Sequence, residues 1–277
     1  EKIKKEFNLN GFVILRKVFL KNQISRLLVE IEKIKIKSIN IKNPHLHYTK
    51  DNKINTIHDI NHYVKKGLVI DFSKNKKISS IVNYILNGKS RVRNIEFFLK
   101  PRKTGLRSAF HQDNAYWNFS DEKKALNAWI ACSESNFKNG GVCYYRKSHK
   151  LGLLKHEISY APGSSEKIPS KYLKKIKLQK FYPTLKIGDC MLHHSEVIHG
   201  SSSNKSNKDR IGLVIGYKNI NAKIDKKKLN KHAQIVKKNI NYLKRNSWSK
   251  ISKNDFFSSS SCKIKNEQKN YLILKIL

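Results

Sequence analysis

The chain predicts a mainly β fold with flanking helices, an antiparallel sandwich or barrel of the jelly-roll kind. Three observations predict it. Between Arg91 and Tyr217 the sequence runs through short apolar, β-branched and aromatic stretches, at 91–101, 126–133, 141–145, 177–182, 190–193 and 211–217. Turn formers separate them: Asn139-Gly140-Gly141, Pro162-Gly163, Gly188-Asp189 and the polar run 201–208. Helical periodicity is confined to the two ends.

Residues 1–7 read as an opening helix and 11–15 as a short strand. Ile24, Leu27, Leu28, Ile31 and Ile34 then recur at three- and four-residue steps, with Lys and Glu on the other face, which predicts an amphipathic helix. Residues 38–68, rich in Asn and His around Pro44, read as loop. A second helix is expected over 74–86, using Ile78, Ile81, Val82 and Ile85 and ended by Gly88. After Tyr217 the chain turns helical and basic to about Arg245, and the apolar run 271–277 is expected to pack back on the core. The expectation is one domain over 1–277: a helical segment 1–90, a jelly-roll core 91–220, and a basic C-terminal helix and tail 221–277. No internal repeat is present.

Hydrophobic residues make up 39% and aromatics 10%, enough for a substantial core and against global disorder. No apolar stretch approaches the roughly 18 residues of a membrane span, and the charged opening has no signal-peptide pattern. Cys132, Cys143, Cys190 and Cys262 are far apart and form no CxxC pair. Neither a disulfide framework nor a zinc site is expected, and a reduced, cytoplasmic compartment is. The formal charge of +38 attracts anions. Its lysines are spread over nearly every segment, which reads as compositional drift with a solvated surface rather than a nucleic-acid face.

The chemistry lies in three pieces. In His111-Gln112-Asp113, an extended strand turns positions i and i+2 to one side, so an imidazole and a carboxylate can meet at one point while Gln112 points away. Such a pair alone is weak evidence. The run 188–201 reads as a tight turn leading into a strand with His199 near its far end, a third ligand of the kind a two-histidine, one-carboxylate facial triad requires. His193 and His194 compete for that role, but adjacent strand residues face opposite ways. Arg210, eleven positions after His199, heads an apolar strand and needs an anionic partner, which a guanidinium fork grips in a bidentate way that Lys cannot.

In order and spacing, these residues with a Trp-containing strand, Asn-Gly-Gly, Ser148-His149-Lys150, Gly188-Asp189 and His199-Gly200-Ser201 resemble the phytanoyl-CoA dioxygenase family, from about Glu6 to Tyr217. The resemblance implies a double-stranded β-helix core of cupin-like form. It implies iron(II) held by His111, Asp113 and His199, 2-oxoglutarate gripped by Arg210 with help from Ser201, and Trp129 lining the co-substrate pocket. O2 is the oxidant and hydroxylation of an unactivated C–H bond the expected outcome, since related halogenases carry a small residue where Asp113 stands. Gln112, Tyr116 and Trp117 fall where family members shape the substrate side. The substrate is expected to be a small molecule, anionic or carrier-linked. Arg146-Lys147 stands where the family usually has Pro-Gly. Two other classes remain open: a fold relative that only binds, and a basic nucleic-acid-binding protein.

Overall fold

The computed structural model describes residues 1–43, 45–120 and 124–245 of the 277. Its centre is two antiparallel sheets. The larger has seven strands in the order β1 (Phe12–Leu15), β11 (Cys190–His194), β6 (Ala125–Ala131), β13 (Gly212–Asn219), β4 (Ser90–Phe98), β3 (Ile54–Ile57) and β2 (Leu46–Tyr48). The smaller has four, β10 (Lys180–Phe181), β7 (Val142–Tyr145), β12 (His199–Ser201) and β5 (Ser108–His111). A separate hairpin pairs β8 (Glu157–Ala161) with β9 (Ser164–Lys167).

Burial explains why the central strands read as continuous apolar runs: every residue of β6 and β11 is buried. Alternate residues serve two cores. Leu126, Ala128, Ile130, Leu192, Leu213 and Ile215 join Ile24, Leu27 and Ile31 of α2 (Lys21–Asn40) and Ile78 and Val82 of α4 (Lys76–Ile85). Trp129, Ala131, Met191 and Val214 face the other way and meet Tyr144 of the smaller sheet. That inter-sheet core is where the polar site lies. The remaining helices are α1 (Lys2–Asn10), α3 (Leu68–Ser73), α5 (Asn114–Trp117), α6 (Ser170–Lys175) and α7 (Lys226–Arg245), the last packing on the β8–β9 hairpin and α5.

Three expectations change. Residues 38–68 are not simply loop: β2 and β3 extend the larger sheet, with Thr56 and Ile57 opposite Phe98 and Phe97. Strands of three and four residues carrying His, Asn and Thr are too short and polar to announce themselves by apolar periodicity. The strand expected over 177–182 shrinks to two residues. The run 188–201 is two strands in different sheets, because the chain turns at 195–198, where the Val197 amide donates to the His194 carbonyl (3.0 Å). Where Pro-Gly is usual, Lys147 takes the left-handed conformation itself (φ 65°). The run 271–277 and Cys262 lie outside the described residues.

Gly188 shows how tightly the turn before β11 is built. Its φ is +86°, its carbonyl accepts the amides of Val18 and Phe19 (2.9 and 3.1 Å), and an added Cβ would sit 2.0 Å from the Phe19 carbonyl oxygen. Gly188→Ala therefore combines left-handed strain with a backbone clash. We expect a loss of about 2–4 kcal/mol in urea unfolding; an unchanged midpoint would contradict this packing.

Candidate metal centre

His111 ends β5 and His199 begins β12, and the two are direct cross-strand partners. Their rings are 4.3 Å apart, centroid to centroid. Each Nδ1 lies against a carbonyl two residues back, Ala109 O at 2.7 Å and Val197 O at 3.0 Å. A carbonyl can only accept, so Nδ1 carries the proton and Nε2 keeps its lone pair for a metal. Asp113 is not on the strand. It stands at the start of α5 with helical backbone (φ −61°, ψ −31°), so the i, i+2 strand argument gives the right pairing by a different route. Its Oδ1 is 3.7 Å from His111 Nε2 and 3.5 Å from His199 Nε2. One donor atom from each of the three lies within 4.8 Å of the others, a set that could hold a metal ion.

The second carboxylate oxygen is held from behind. Asn127 Nδ2 donates to Asp113 Oδ2 (2.8 Å), and His193 Nε2 lies 3.1 Å from it. His193 in turn meets the Tyr144 hydroxyl (3.3 Å). The competition among the histidines thus resolves by strand alternation: His193 faces the site behind Asp113, and His194 faces α1, 5.9 Å from the Phe7 ring. Burial penalises the Asp113 charge, but His199, His193 and His111 outweigh it and pull its pKa down. Burial, then the neighbouring His199, push His111 down to about 4, and burial lowers His199 as well. Both imidazoles are neutral at pH 7, as ligands must be.

At the other end of the inter-sheet core Arg210 is 1% exposed. Its Nη2 donates to the Gly140 carbonyl (2.9 Å), while Nε and Nη1 are buried without a partner. Lys100, fully buried, donates from Nζ to Ser201 Oγ and the Ser202 carbonyl (2.6 Å each). Burial pushes Arg210 down to about 10, and burial with the Arg210 charge pushes Lys100 far down. Two buried cations facing only neutral acceptors make a site for a carboxylate. Trp129 lies over the guanidinium (5.5 Å), and its ring fills the space that a Cβ on Gly212 would need, 2.2 Å from Trp129 Cζ2.

The substrate-side residues divide. The Tyr116 ring lies edge-on to His111 (5.4 Å), and its hydroxyl donates to the Glu166 carbonyl (2.8 Å). Trp117 belongs to a separate cluster with Phe119 and Ala125. Gln112 is wholly engaged by backbone: its Nε2 donates to Gly152 O and Glu196 O, and its Oε1 accepts from Leu154 N. From the sequence, Lys100, Asn127 and Tyr144 carried no role, and His193 stood only as a rival ligand. Alternation offered a signal: Lys100 falls in step with Phe98 and Glu96, Asn127 with Trp129, and His193 with Met191. The His-rich segment also reaches the flank, where His58 pairs with Glu96 (3.0 Å), a carboxylate whose charge acts on His111.

Two facing sheets with a His-Asp-His group and a buried Arg define a double-stranded β-helix oxygenase. EctD from S. alaskensis, solved with 2-oxoglutarate and 5-hydroxyectoine, superposes with TM-score 0.67 at 16% identity, covering 80% of this chain and 77% of that one. The epimerase SnoN, solved with Fe3+, alpha-ketoglutarate and nogalamycin RO, gives 0.63 at 17%, covering 80% and 84%. At such identities these neighbours show the fold. In sequence, the chain is 22% identical over 229 residues to a probable alpha-ketoglutarate-dependent hypophosphite dioxygenase of Stutzerimonas stutzeri, covering 77% of this chain and 76% of that protein. It is 28% identical over 142 residues to a phytanoyl-CoA dioxygenase of Arabidopsis thaliana, covering 50% and 48%. The pattern of the phytanoyl-CoA dioxygenase (PhyH) family matches residues 7–212, and the chain belongs to that family of iron- and 2-oxoglutarate-dependent oxygenases. No helix among the described residues is long and apolar enough to cross a membrane.

The folded pKa of His111 lies below its unfolded value of about 6.5, so between about pH 4 and 6.5 the unfolded chain binds a proton that the folded one refuses. Stability is therefore lost as pH falls through that window. His156, pushed to about 4 mainly by burial, acts in the same sense. The metal-free protein should lose on the order of 1–2 kcal/mol per such histidine by pH 5, and His111→Gln should flatten part of the slope in thermal melts. A wild-type melting temperature that is flat from pH 7 to 5 would contradict the burial of these rings.

Proposed function

We propose that this chain hydroxylates an unactivated C–H bond of a small molecule, with His111, Asp113 and His199 as the iron(II) ligands. Arg210, Lys100 and Ser201 hold the far carboxylate of 2-oxoglutarate, and Trp129 walls the co-substrate pocket. The observation that carries this reading is the buried Arg210, whose Nε and Nη1 have no partner. A cation in that state needs an anion, and 2-oxoglutarate would have one carboxylate to offer there if its keto-acid end were held at the His111–Asp113–His199 group.

When bound, iron(II) with 2-oxoglutarate and O2 supplies the oxidising power, and the co-substrate leaves as succinate and CO2. The chain's own part is positioning. Ala109 O and Val197 O fix the two imidazoles, and Asn127 and His193 hold Asp113 Oδ2 so that Oδ1, near both Nε2 atoms, would be free to take a metal. The retained carboxylate of Asp113 supports hydroxylation. Tyr116, beside His111, faces the substrate, while Gln112 positions the chain at 152–154 and 196. The free, buried Cys132, Cys143 and Cys190 support a reducing, cytoplasmic compartment, and the flanking helices support a single domain over the described core. The high positive charge supports an anionic or carrier-linked substrate.

Titrating the full chain anaerobically with iron(II) and 2-oxoglutarate should produce the weak visible charge-transfer band of the chelate. His111→Ala and His199→Ala should abolish it together with turnover. Arg210→Ala should weaken 2-oxoglutarate binding at least about tenfold, the weight of a charge-assisted bidentate pair. A full band in either histidine variant would overturn the ligand assignment.

A further inference from the structure

The pairing of β4 with β13 slips by one residue at Gly216–Tyr217: Gly216 lies opposite Asn94, Tyr217 opposite Val92, and Arg93 is the extra residue. Asn61 steadies this bulge, its Oδ1 accepting the Ile95 amide (2.9 Å) and its Nδ2 donating to the Arg93 carbonyl (3.4 Å). Bulges re-aim side chains. Here the half-buried Arg93 guanidinium comes to lie over the Trp117 ring, 5.0 Å from its centroid.

Among the described residues the guanidinium has no hydrogen bond and no ion pair; the ring is its contact. The carboxylates whose charge it feels are Asp59, Glu96 and Asp113. None pairs with it directly: Glu96 is held by His58 (3.0 Å) and Asn94 (2.7 Å) and Asp113 by the histidines and Asn127, while Asp59 has His45 at 3.9 Å and keeps a buried Oδ2 without a hydrogen bond. One step along the ladder Lys218 stands directly opposite Arg91, a like-charge pair that destabilises a sheet. Lys218 Nζ lies 5.6 Å from the Phe119 ring centroid, and Phe119 packs on Trp117 at 6.2 Å. Arg93 and Lys218 thus lie over an aromatic floor four and six residues beyond Asp113, with Arg91 beside Lys218, and among the described residues none of the three has an ion pair. Burial and the charges of Arg91 and Arg93 already lower the Lys218 pKa. Arg93 steadies the charge of Glu96 at a distance, but its guanidinium hydrogens and the like-charge pair beside it are left without a partner among the described residues, which points to a ligand.

We propose that Arg93, with Lys218 and Arg91, is a substrate subsite for an oxyanion, a carboxylate or a phosphate, within electrostatic reach of Asp113 and distinct from the Arg210–Lys100 co-substrate end. It rests on the iron-oxygenase reading and adds the class of substrate: an anionic compound whose charged group docks on Arg93 while an apolar part lies along Trp117 and Phe119. Arg93 here is a specificity residue, and the bulge is the device that delivers it.

The test uses the full chain loaded anaerobically with iron(II) and saturating 2-oxoglutarate, so that Arg210 is occupied. Benzoate, phenyl phosphate and neutral benzamide are titrated calorimetrically. Both anions, or one of them, should bind at least about tenfold tighter than benzamide. A phenyl phosphate preference assigns a phosphate group, and a benzoate preference a carboxylate. In Arg93→Gln the preference should vanish, and in Arg93→Lys, the variant that keeps the charge if Gln does not fold, it should be partly restored. If the anions and benzamide bind alike, if none binds, or if Arg93→Gln keeps the preference, the subsite is wrong. The chelate band separates the two readings: if wild type lacks it, the iron reading fails, and the same titration on the metal-free protein with 2-oxoglutarate still decides the subsite.

Discussion

The carboxylate of Asp113 is buried among three imidazoles, and much of the molecule is arranged to make that tolerable. A lone carboxylate in this interior would take up a proton. Instead His111, His193 and His199 approach it, and Asn127 donates to the oxygen that faces away from the shared donor point. The arrangement draws on both sheets at once: His193 and Asn127 come from the larger, His111 and His199 from the smaller, and Asp113 from the turn that leaves it. If β11 slipped by one residue against β6, His193 would exchange places with His194 and the carboxylate would lose its backing.

The inter-sheet core is electrically lopsided. One end carries the carboxylate and its histidines; the other carries Lys100 and Arg210, both buried, against neutral oxygens of Ser201, Ser202 and Gly140. Glycine makes the close approach possible, because Gly212 leaves room for Trp129 to cover the guanidinium, and Gly216 leaves room for Asn94 and Asn127. A dianion with a chelating head and a carboxylate tail matches this polarity. The same logic extends to Arg93, where the ladder gives up one pairing position to place a cation over Trp117.

The sequence made the apolar frame legible because periodicity reports burial directly. The stripe from Ile24 to Ile34 is α2, and β4, β6, β7, β11 and β13 fall within a few residues of their apolar runs. The helix ending at Arg245 was legible from its composition. What stayed hidden was polar or short. β2 and β3 hold His47, Asn55 and Thr56, and nothing local says that they pair with β4. The split between β11 and β12 was masked because buried polar residues, Ser195 and Glu196, form the turn where exposed ones are expected. His111, Asp113, His199 and Arg210 stood out by spacing and resemblance. Their supports Asn127 and Lys100 did not, and His193 stood out only as a rival ligand, since a side chain that acts by holding another leaves only its strand parity as a mark. Trp117, expected on the substrate side, packs with Phe119 because the short helix α5 turns it that way.

The most direct measurement is anomalous diffraction at the iron edge from crystals of the full chain grown under nitrogen with iron(II) and 2-oxoglutarate. The account predicts one iron peak, about 2.0–2.3 Å from His111 Nε2, Asp113 Oδ1 and His199 Nε2, with the co-substrate's far carboxylate on Arg210 and Lys100. Iron bound through His193 instead, or a co-substrate turned away from Arg210, would contradict it.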